Sequence, residues 1–215
     1  MMKRLLSSLP LILLSAVLAT TASATVRPDD RIARQWNQFV DNLIKLNEHL
    51  IKQSPHEEKW RIGGYSNEPR FFDEVTYTNS ATDKVTSIVQ WERANPSAVH
   101  SIEIKLRDNQ GRVIKDFSAS YLTKHRNAPI QTLITIHYYN KQLHGFRVFD
   151  ASLNRIYEVC RGKLNGKTIN IDIDDDYGEL SEALENPKGI MNSKTYKACF
   201  GSRDVDMSRV NIPTY

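Results

Sequence analysis

The sequence lacks the short motifs that define several enzyme classes. Its 215 residues contain no GxSxG nucleophile elbow, no HExxH zinc motif and no P-loop. Its two cysteines, Cys160 and Cys199, lie in no CxxC or CxxCH pattern, which argues against a dithiol redox site and excludes covalent c-type haem. These absences favour a non-catalytic protein. The enzymatic alternative is a hydrolase whose carboxylate or Ser–His pair comes from distant strands.

Long apolar runs are missing outside residues 1–24. There, Lys3 and Arg4 precede an apolar stretch over residues 5–18, and Ala22-Ser23-Ala24 is a small-residue cleavage signal. The apolar stretch is shorter than the ~20 residues that a membrane-spanning helix needs. The sequence therefore predicts a signal peptide cleaved after Ala24 and a periplasmic or secreted mature chain without a membrane span. An uncleaved anchor is the alternative.

Charge of one sign is not in marked excess. Lys and Arg number 29 against 25 Asp and Glu, a net charge of +4 that falls to +2 when Lys3 and Arg4 leave with the signal peptide. Such a balance gives no support for nucleic-acid binding. With 40% apolar and 25% charged residues overall, residues 25–215 are expected to form one folded domain rather than a disordered chain.

The two cysteines have a simple interpretation in an exported protein. In an oxidising compartment an isolated pair is most often a disulfide, so we expect Cys160 and Cys199 to be bonded. The chain-entropy model gives roughly 4 kcal/mol for closing a loop of about 40 residues. The bond would also pin down a C-terminal arm, residues 176–215, in which apolar periodicity is poor.

One amphipathic helix is predicted for residues 25–55. Pro28, Asp29 and Asp30 suit its first turn, and Ser54-Pro55 suits its end. Apolar residues recur between them every three or four positions, as a helix with one buried face requires. They are Ile32, Trp36, Phe39, Leu43, Leu46 and Leu50. This stripe can pack on the domain's own sheet or on a partner helix, so both a monomer and a dimer stay open.

Beyond Gly63-Gly64 the apolar period changes from that of a helix to that of a strand. Residues 65–175 contain about eight strand-like segments, and short turns such as Asn165-Gly166 make sequential strands pair antiparallel. The predicted fold is α+β with a β-dominant core. The N-terminal helix packs on an antiparallel meander of about eight strands, either a curved open sheet or an up-and-down barrel, and the disulfide-tethered C-terminal arm follows.

Two histidines flank one predicted hairpin turn and form a candidate metal site. With Asn140-Lys141 as turn residues, His137 and His144 face each other across the hairpin. With Lys141-Gln142 as turn residues, Tyr139 stands opposite His144 and the two histidines are expected to separate. Facing imidazoles would bind Cu or Zn with a third ligand. A periplasmic metal-binding protein is therefore the main alternative function.

An acidic run at the end of the last predicted strand is a second candidate metal site. Asp172, Asp174 and Asp176 supply oxygen ligands at a spacing of two, which suits a hard cation such as Ca²⁺. Tyr177 stands where an EF-hand requires glycine, so that motif is not met. The simpler interpretation places Asp172 and Asp174 on the solvent face of an edge strand. No organic cofactor is predicted.

Aromatic residues and one basic loop together suggest a ligand site. The candidate ligand-contacting residues are Trp91, Tyr121, Lys124, His125, Arg126 and Tyr138. The aromatic members would line a groove if they share a face of the sheet, and Trp60 belongs to the same aromatic set. The basic members lie in the polar loop over residues 121–129 and would suit an anionic ligand. An ordinary aromatic core is the alternative explanation.

The sequence as a whole favours a non-catalytic exported binding or accessory protein. Such a protein would engage another periplasmic protein, or a small ligand, through the concave face of its sheet or through an exposed sheet edge. A metal-binding protein and a hydrolase remain the second and third hypotheses. No residue pattern identifies the partner.

Overall fold

The computed structural model describes residues 30–123, 125–174, 182–183, 185–186 and 189–213. The predicted signal peptide, Lys124 and Asp176 lie outside these residues. The first described element is helix α1, Arg31–Gln53. The Asp30 side chain caps it by accepting a hydrogen bond of 2.8 Å from the backbone N–H of Ile32. The backbone becomes extended at Ser54, immediately before Pro55, and this ends the helix.

One face of α1 is buried against the sheet. Its buried apolar residues are Ala33, Phe39, Val40, Leu43 and Leu46. The apolar stripe seen in the sequence therefore packs within the chain itself. Ile32, the first residue of that stripe, is 52% exposed, so the buried part begins at Ala33.

Nine strands follow α1, and the predicted number of about eight is therefore wrong by one. They are β1 (His56–Tyr65), β2 (Glu68–Asn79), β3 (Lys84–Glu92), β4 (Asn95–Arg107), β5 (Val113–Ser120), β6 (Gln131–Asn140), β7 (Leu143–Phe149), β8 (Arg155–Leu164) and β9 (Lys167–Asp174). Each strand pairs antiparallel with the next, in the order β1 to β9. In the described residues the meander is therefore an open sheet, with β1 and β9 at its edges.

The strand that the sequence did not reveal is β1, which begins at His56 rather than near residue 65. Most of its residues are exposed on both faces of the sheet, so it carries only a weak apolar period. Gly63 and Gly64 lie inside β1 and do not mark a boundary. A Cβ on Gly64 would lie 2.1 Å from the Glu68 carbonyl oxygen, so this glycine permits the close return of β2.

Helix α1 packs on one face of the sheet, which we call the inner face. The largest buried cluster joins α1 to the middle strands through Val75, Val89, Ile102, Ile104, Phe117, Ile134, Ile136 and Phe149. Side-chain hydrogen bonds also hold the helix in place. The Ser87 hydroxyl donates to the Asn47 side-chain oxygen, and Trp36 Nε1 donates to Ser152 Oγ at 2.9 Å. None of the helices in the described ranges has the length and apolar character needed to cross a membrane.

The C-terminal arm covers the inner face at β6, β7 and β8. A disulfide joins Cys160 of β8 to Cys199, with 2.02 Å between the sulfurs and 6.1 Å between the Cα atoms, which confirms the predicted bond. Cys199 belongs to helix α2, Lys194–Phe200, which lies between two 3₁₀ turns, Ile190–Asn192 and Met207–Arg209. A Cβ on Gly145 of β7 would stand 2.9 Å from the Phe200 ring, so the missing side chain lets α2 approach the sheet closely.

A buried ion pair lies beneath the arm. Arg147 of β7 and Glu158 of β8 have side chains 1% and 0% exposed, with 2.6 Å between Nε and Oε1, in the geometry of an ion pair rather than a linear hydrogen bond. The Tyr196 hydroxyl donates to Glu158 Oε2 at 2.5 Å, and Arg147 donates to the Tyr196 hydroxyl and to the Ser202 carbonyl oxygen. Burial and the Glu158 carboxylate raise the pKa of Tyr196 far above its ordinary value. The arm thus satisfies charges that belong to the sheet.

We expect Arg147→Met to lower the free energy of unfolding by about 3 kcal/mol, because the buried Glu158 carboxylate then keeps only its second cation, Arg155, whose Nη1 is 3.2 Å from Oε1. The double variant Arg147→Met/Glu158→Leu should regain part of that loss, since the buried pair is then gone and Arg155 still donates to the Arg203 carbonyl oxygen. Urea unfolding under non-reducing conditions, followed by circular dichroism, measures both. Arg161→Met is the control, because Arg161 and its partner Asp172 are largely exposed. A single variant as stable as this control would contradict the prediction.

Candidate functional site

Three apolar side chains form a surface at the β1 end of the inner face. Trp60 and Ile62 of β1 are 60% and 47% exposed. The Trp60 ring stacks on Trp91 of β3 with 6.2 Å between ring centres and 22° between ring planes. Trp91 in turn packs against the main core. We call Trp60, Ile62 and Trp91 the aromatic ledge. It continues the core outwards to the sheet edge, where its outer members meet solvent.

Strand β1 presents the backbone of this edge to solvent. Within β1 only His56 and Gly63 are partly buried. An edge strand carries a row of backbone N–H and C=O groups that face away from the sheet. On the outer face, the one opposite α1, the guanidinium of Arg61 makes a bidentate contact with the buried Glu74 carboxylate of β2. Gln90 Nε2 also donates to Glu74 Oε2 at 2.7 Å, so β1 is held firmly in the sheet. The hydrogen bond from Arg61 is the main cause that lowers the pKa of Glu74.

The loop over residues 121–129 lies against the sheet and α1. The Tyr121 N–H donates to the His100 carbonyl oxygen at 2.9 Å, and its hydroxyl donates to Asn37 Oδ1 of α1 at 2.7 Å. The Arg126 guanidinium stands 4.3 Å above the Tyr121 ring, and its Nη1 is 3.0 Å from Glu92 Oε1. The charge of Arg126 is therefore already paired within the protein. His125, in the same loop, is exposed.

The predicted ligand residues fall into two neighbourhoods. Trp91 pairs with Val99 of β4, next to the point where Tyr121 joins that strand, so these two aromatic residues lie near each other on the inner face. Tyr138 of β6 packs against the C-terminal arm instead. Its ring packs edge-on against Phe200 at 5.5 Å, and the Arg209 guanidinium lies 4.9 Å from its centre. Lys124 lies outside the described residues. A small-ligand site therefore stays a prediction.

A buried histidine lies in an aromatic cage near the ledge. His100 of β4 is 2% exposed, and its Nε2 is 2.5 Å from the Tyr65 hydroxyl. The rings of Phe71 and Phe72 lie 5.0 and 5.9 Å from it, and its Nδ1 has no hydrogen-bond partner among the described residues. Burial lowers the pKa of His100; the nearby Glu92 carboxylate opposes this effect and Arg126 adds to it. Folding thus favours the neutral imidazole over the protonated one.

The two hairpin histidines meet on the outer face. The turn residues are Lys141-Gln142, since Asn140 pairs with Leu143 and Tyr139 with His144. The expectation that this register separates the histidines is wrong. His137 lies diagonally across from His144 on the same face, and its Nδ1 is 3.0 Å from His144 Nε2. Asp116 of β5 extends the row, with Oδ2 2.6 Å from His137 Nε2.

The acidic run is only partly described. Asp172 and Asp174 are exposed on β9, an edge strand, and Asp172 Oδ2 is 3.5 Å from Arg161 Nη2. Asp176 lies outside the described residues. Within the part of the chain that the structure describes, no group of three or more His, Cys, Asp or Glu side chains is arranged to hold a metal ion. The cation site at this run remains a prediction.

Sequence reasoning did not find Ile62, Asp116 or the His100 cage as site components. Trp60 and Ile62 alternate with Lys59 and Arg61, a period-two signal that is too short to identify a strand. Asp116 is a single acid in an otherwise strand-like segment. Only the pairing of β5 with β6 shows that it lies beside His137.

No protein-family model, curated protein or solved structure matches this chain. The residues described above are therefore the basis for any functional assignment.

The buried His100 predicts a pH-dependent stability. Its pKa is lowered on folding from about 6.5, so below that pH the unfolded chain binds more protons than the folded one. The free energy of unfolding should therefore fall as the pH decreases from about 7 through 6.5. His100→Phe keeps a ring in the aromatic cage and should remove much of this dependence, which denaturant unfolding at a series of pH values measures. The exposed His125→Gln is the control and should behave as wild type. Equal pH dependence in His100→Phe and wild type would contradict the prediction.

Proposed function

We propose that this chain is a non-catalytic exported binding protein that captures an extended segment of another protein along strand β1. The observation that carries the proposal is the long exposed β1 edge beside an aromatic ledge in which Trp60 is 60% exposed. Addition of a strand to an open edge is a recurring mode of peptide recognition. The backbone of the edge supplies affinity, and the side chains along it supply specificity.

The geometry of the ledge defines the kind of segment that would bind. Successive residues of a strand point to opposite faces, so a segment paired with β1 would direct every second side chain towards the inner face. Those side chains would lie beside Trp60 and Ile62. A partner with apolar residues at alternate positions would therefore bury the exposed ledge. The firm attachment of β1 through Arg61 and Glu74 keeps this template ordered before binding.

The charges of β1 favour a different chain over a second copy of this one. Two copies that pair antiparallel through β1 are related by a twofold axis, which lies midway between the two copies of one β1 residue. An axis at Glu58, Lys59 or Arg61 places that residue opposite itself, and an axis at Trp60 places Lys59 opposite Arg61. Like charges directly opposite each other are destabilising. Each of these four central registers therefore contains at least one repulsive pair.

Two further features support export. The Cys160–Cys199 disulfide needs an oxidising compartment, and residues 1–24 have the pattern of a cleaved signal peptide. A periplasmic or secreted location would bring the β1 edge into contact with other exported chains. The lack of any enzyme motif in the sequence agrees with a binding role.

The test is selection of short random peptides on the mature, oxidised protein, followed by affinity measurement with the selected peptide. We expect peptides with alternating apolar residues to be enriched, and hydrogen exchange to show protection of β1 amides when the peptide is added. Trp60→Ala should weaken binding by about thirty-fold, the equivalent of a 2 kcal/mol hot spot. Ile62→Asp should weaken it further, because it places a charge in the contact.

The matched control is Ile130→Asp, which changes an isoleucine of similar exposure, 55%, away from β1. It should bind as wild type does, and circular dichroism checks that all variants fold. Peptides that bind Ile62→Asp as tightly as wild type would overturn the proposal, and so would a selection without enrichment. If the β1 amides are protected only when the protein dimerises at higher concentration, the edge binds a second copy of this chain. That result would also overturn the proposal.

A further inference from the structure

A second candidate site lies on the outer face, at the hairpin of β6 and β7. The ring nitrogens His137 Nδ1 and His144 Nε2 face each other at 3.0 Å, and the ring planes are within 8° of parallel. His144 is exposed and His137 is half-buried. Neither ring belongs to the buried core, and the two nitrogens approach at hydrogen-bond distance.

Asp116 determines which ring nitrogen of His137 is available to a metal ion. Its Oδ2 lies 2.6 Å from His137 Nε2 and accepts a hydrogen bond from it, so Nδ1 of the neutral His137 ring carries the lone pair. A carboxylate that holds the far nitrogen of an imidazole is the usual support of a metal-binding histidine. His144 Nε2 faces His137 Nδ1, and an imidazole with its proton on Nδ1 would offer a second lone pair there.

We propose that His137 Nδ1 and His144 Nε2 bind one Cu²⁺ ion, with Asp116 as the residue that orients His137. Two nitrogens bound at 2.0–2.1 Å are about 2.9 Å apart when they subtend the right angle of a tetragonal site, and about 3.3 Å apart in a tetrahedral one. The separation of 3.0 Å is closer to the tetragonal value. The two nitrogens now point at each other, so the exposed His144 ring has to turn from its stack on Tyr139 to direct both lone pairs at the ion.

Polar groups around the pair are engaged with other partners. The Tyr139 hydroxyl donates to the Val113 carbonyl oxygen and is engaged away from the pair. Arg161 stands opposite His144 on β8, but its guanidinium is 3.5 Å from the Asp172 carboxylate, which offsets its charge. Water or an outside ligand would complete the coordination, as expected for an exchangeable surface site.

Titration of the mature, untagged protein with Cu²⁺ alone, followed by calorimetry and electron paramagnetic resonance, tests the assignment. We expect one equivalent to bind with superhyperfine splitting from two nitrogens. Zn²⁺ should bind more weakly, in keeping with the usual order of divalent metals. His137→Ala and His144→Ala should each lose that equivalent. Asp116→Asn should retain the two-nitrogen spectrum with affinity reduced 10–100-fold, about the effect of losing a supporting carboxylate.

The control is His125→Ala, which removes an exposed histidine elsewhere and should leave the copper equivalent intact. Copper binding that survives in both hairpin variants would overturn the assignment, since the ion would then lie at another group. Absence of the two-nitrogen spectrum in wild type would also overturn it. Wild-type affinity in Asp116→Asn would refute the orienting role of the carboxylate.

Discussion

Helix α1 is the one long helix that covers the inner face in the described residues, and it is too narrow to cover nine strands. Strands 4.7–4.9 Å apart give a sheet nearly 40 Å wide, about three times the diameter of a helix with its side chains. The helix therefore packs on the middle, over residues such as Ile102 and Phe117. The two flanks of the inner face must therefore be covered or protected in some other way, and they differ in how this is done.

At the flank of β6 to β8 the chain supplies its own cover. The Arg147–Glu158 pair gives little net stability to a core, because removing both charges from water costs about as much as their attraction returns. It does require a specific neighbour, since the hydroxyl of Tyr196 and the carbonyl of Ser202 complete its contacts. The disulfide holds those groups close, and Met191 and Phe200 of the arm are buried against the sheet. Polar satisfaction and covalent tethering thus add to the apolar area that this short arm buries.

The sequence predicted the parts of this fold whose burial is periodic. Strands with one buried face, such as β4 with Ile102 and Ile104, alternate clearly and were identified. Strand β1 was not predicted, because its residues are exposed on both faces and so lack the apolar–polar alternation by which a strand is recognised. The Arg147–Glu158 pair could not be predicted either, because the neighbouring sequence does not show whether a charged residue in a strand is buried or exposed. The approach of His137 and His144 was expected only for the Asn140-Lys141 turn, because diagonal contact across the actual register was not considered. The place of Asp116 depends on the long-range pairing of β5 with β6.

The flank at β1 has a different kind of protection. Natural edge strands avoid unwanted pairing by being short, by carrying proline or charge, or by being covered. Strand β1 has 10 residues and no proline, and its bulge lies only at the Gly63 end. Its central charges oppose pairing with a second copy, yet they do not oppose a strand of another composition, and Trp60 and Ile62 leave apolar area for such a strand to cover. The charges of this edge oppose pairing with a second copy, and the apolar side chains beside it stay exposed. These are the properties expected of an edge that binds another chain. The histidine pair lies on the other face and on distant strands, so the loss of either site would leave the other intact.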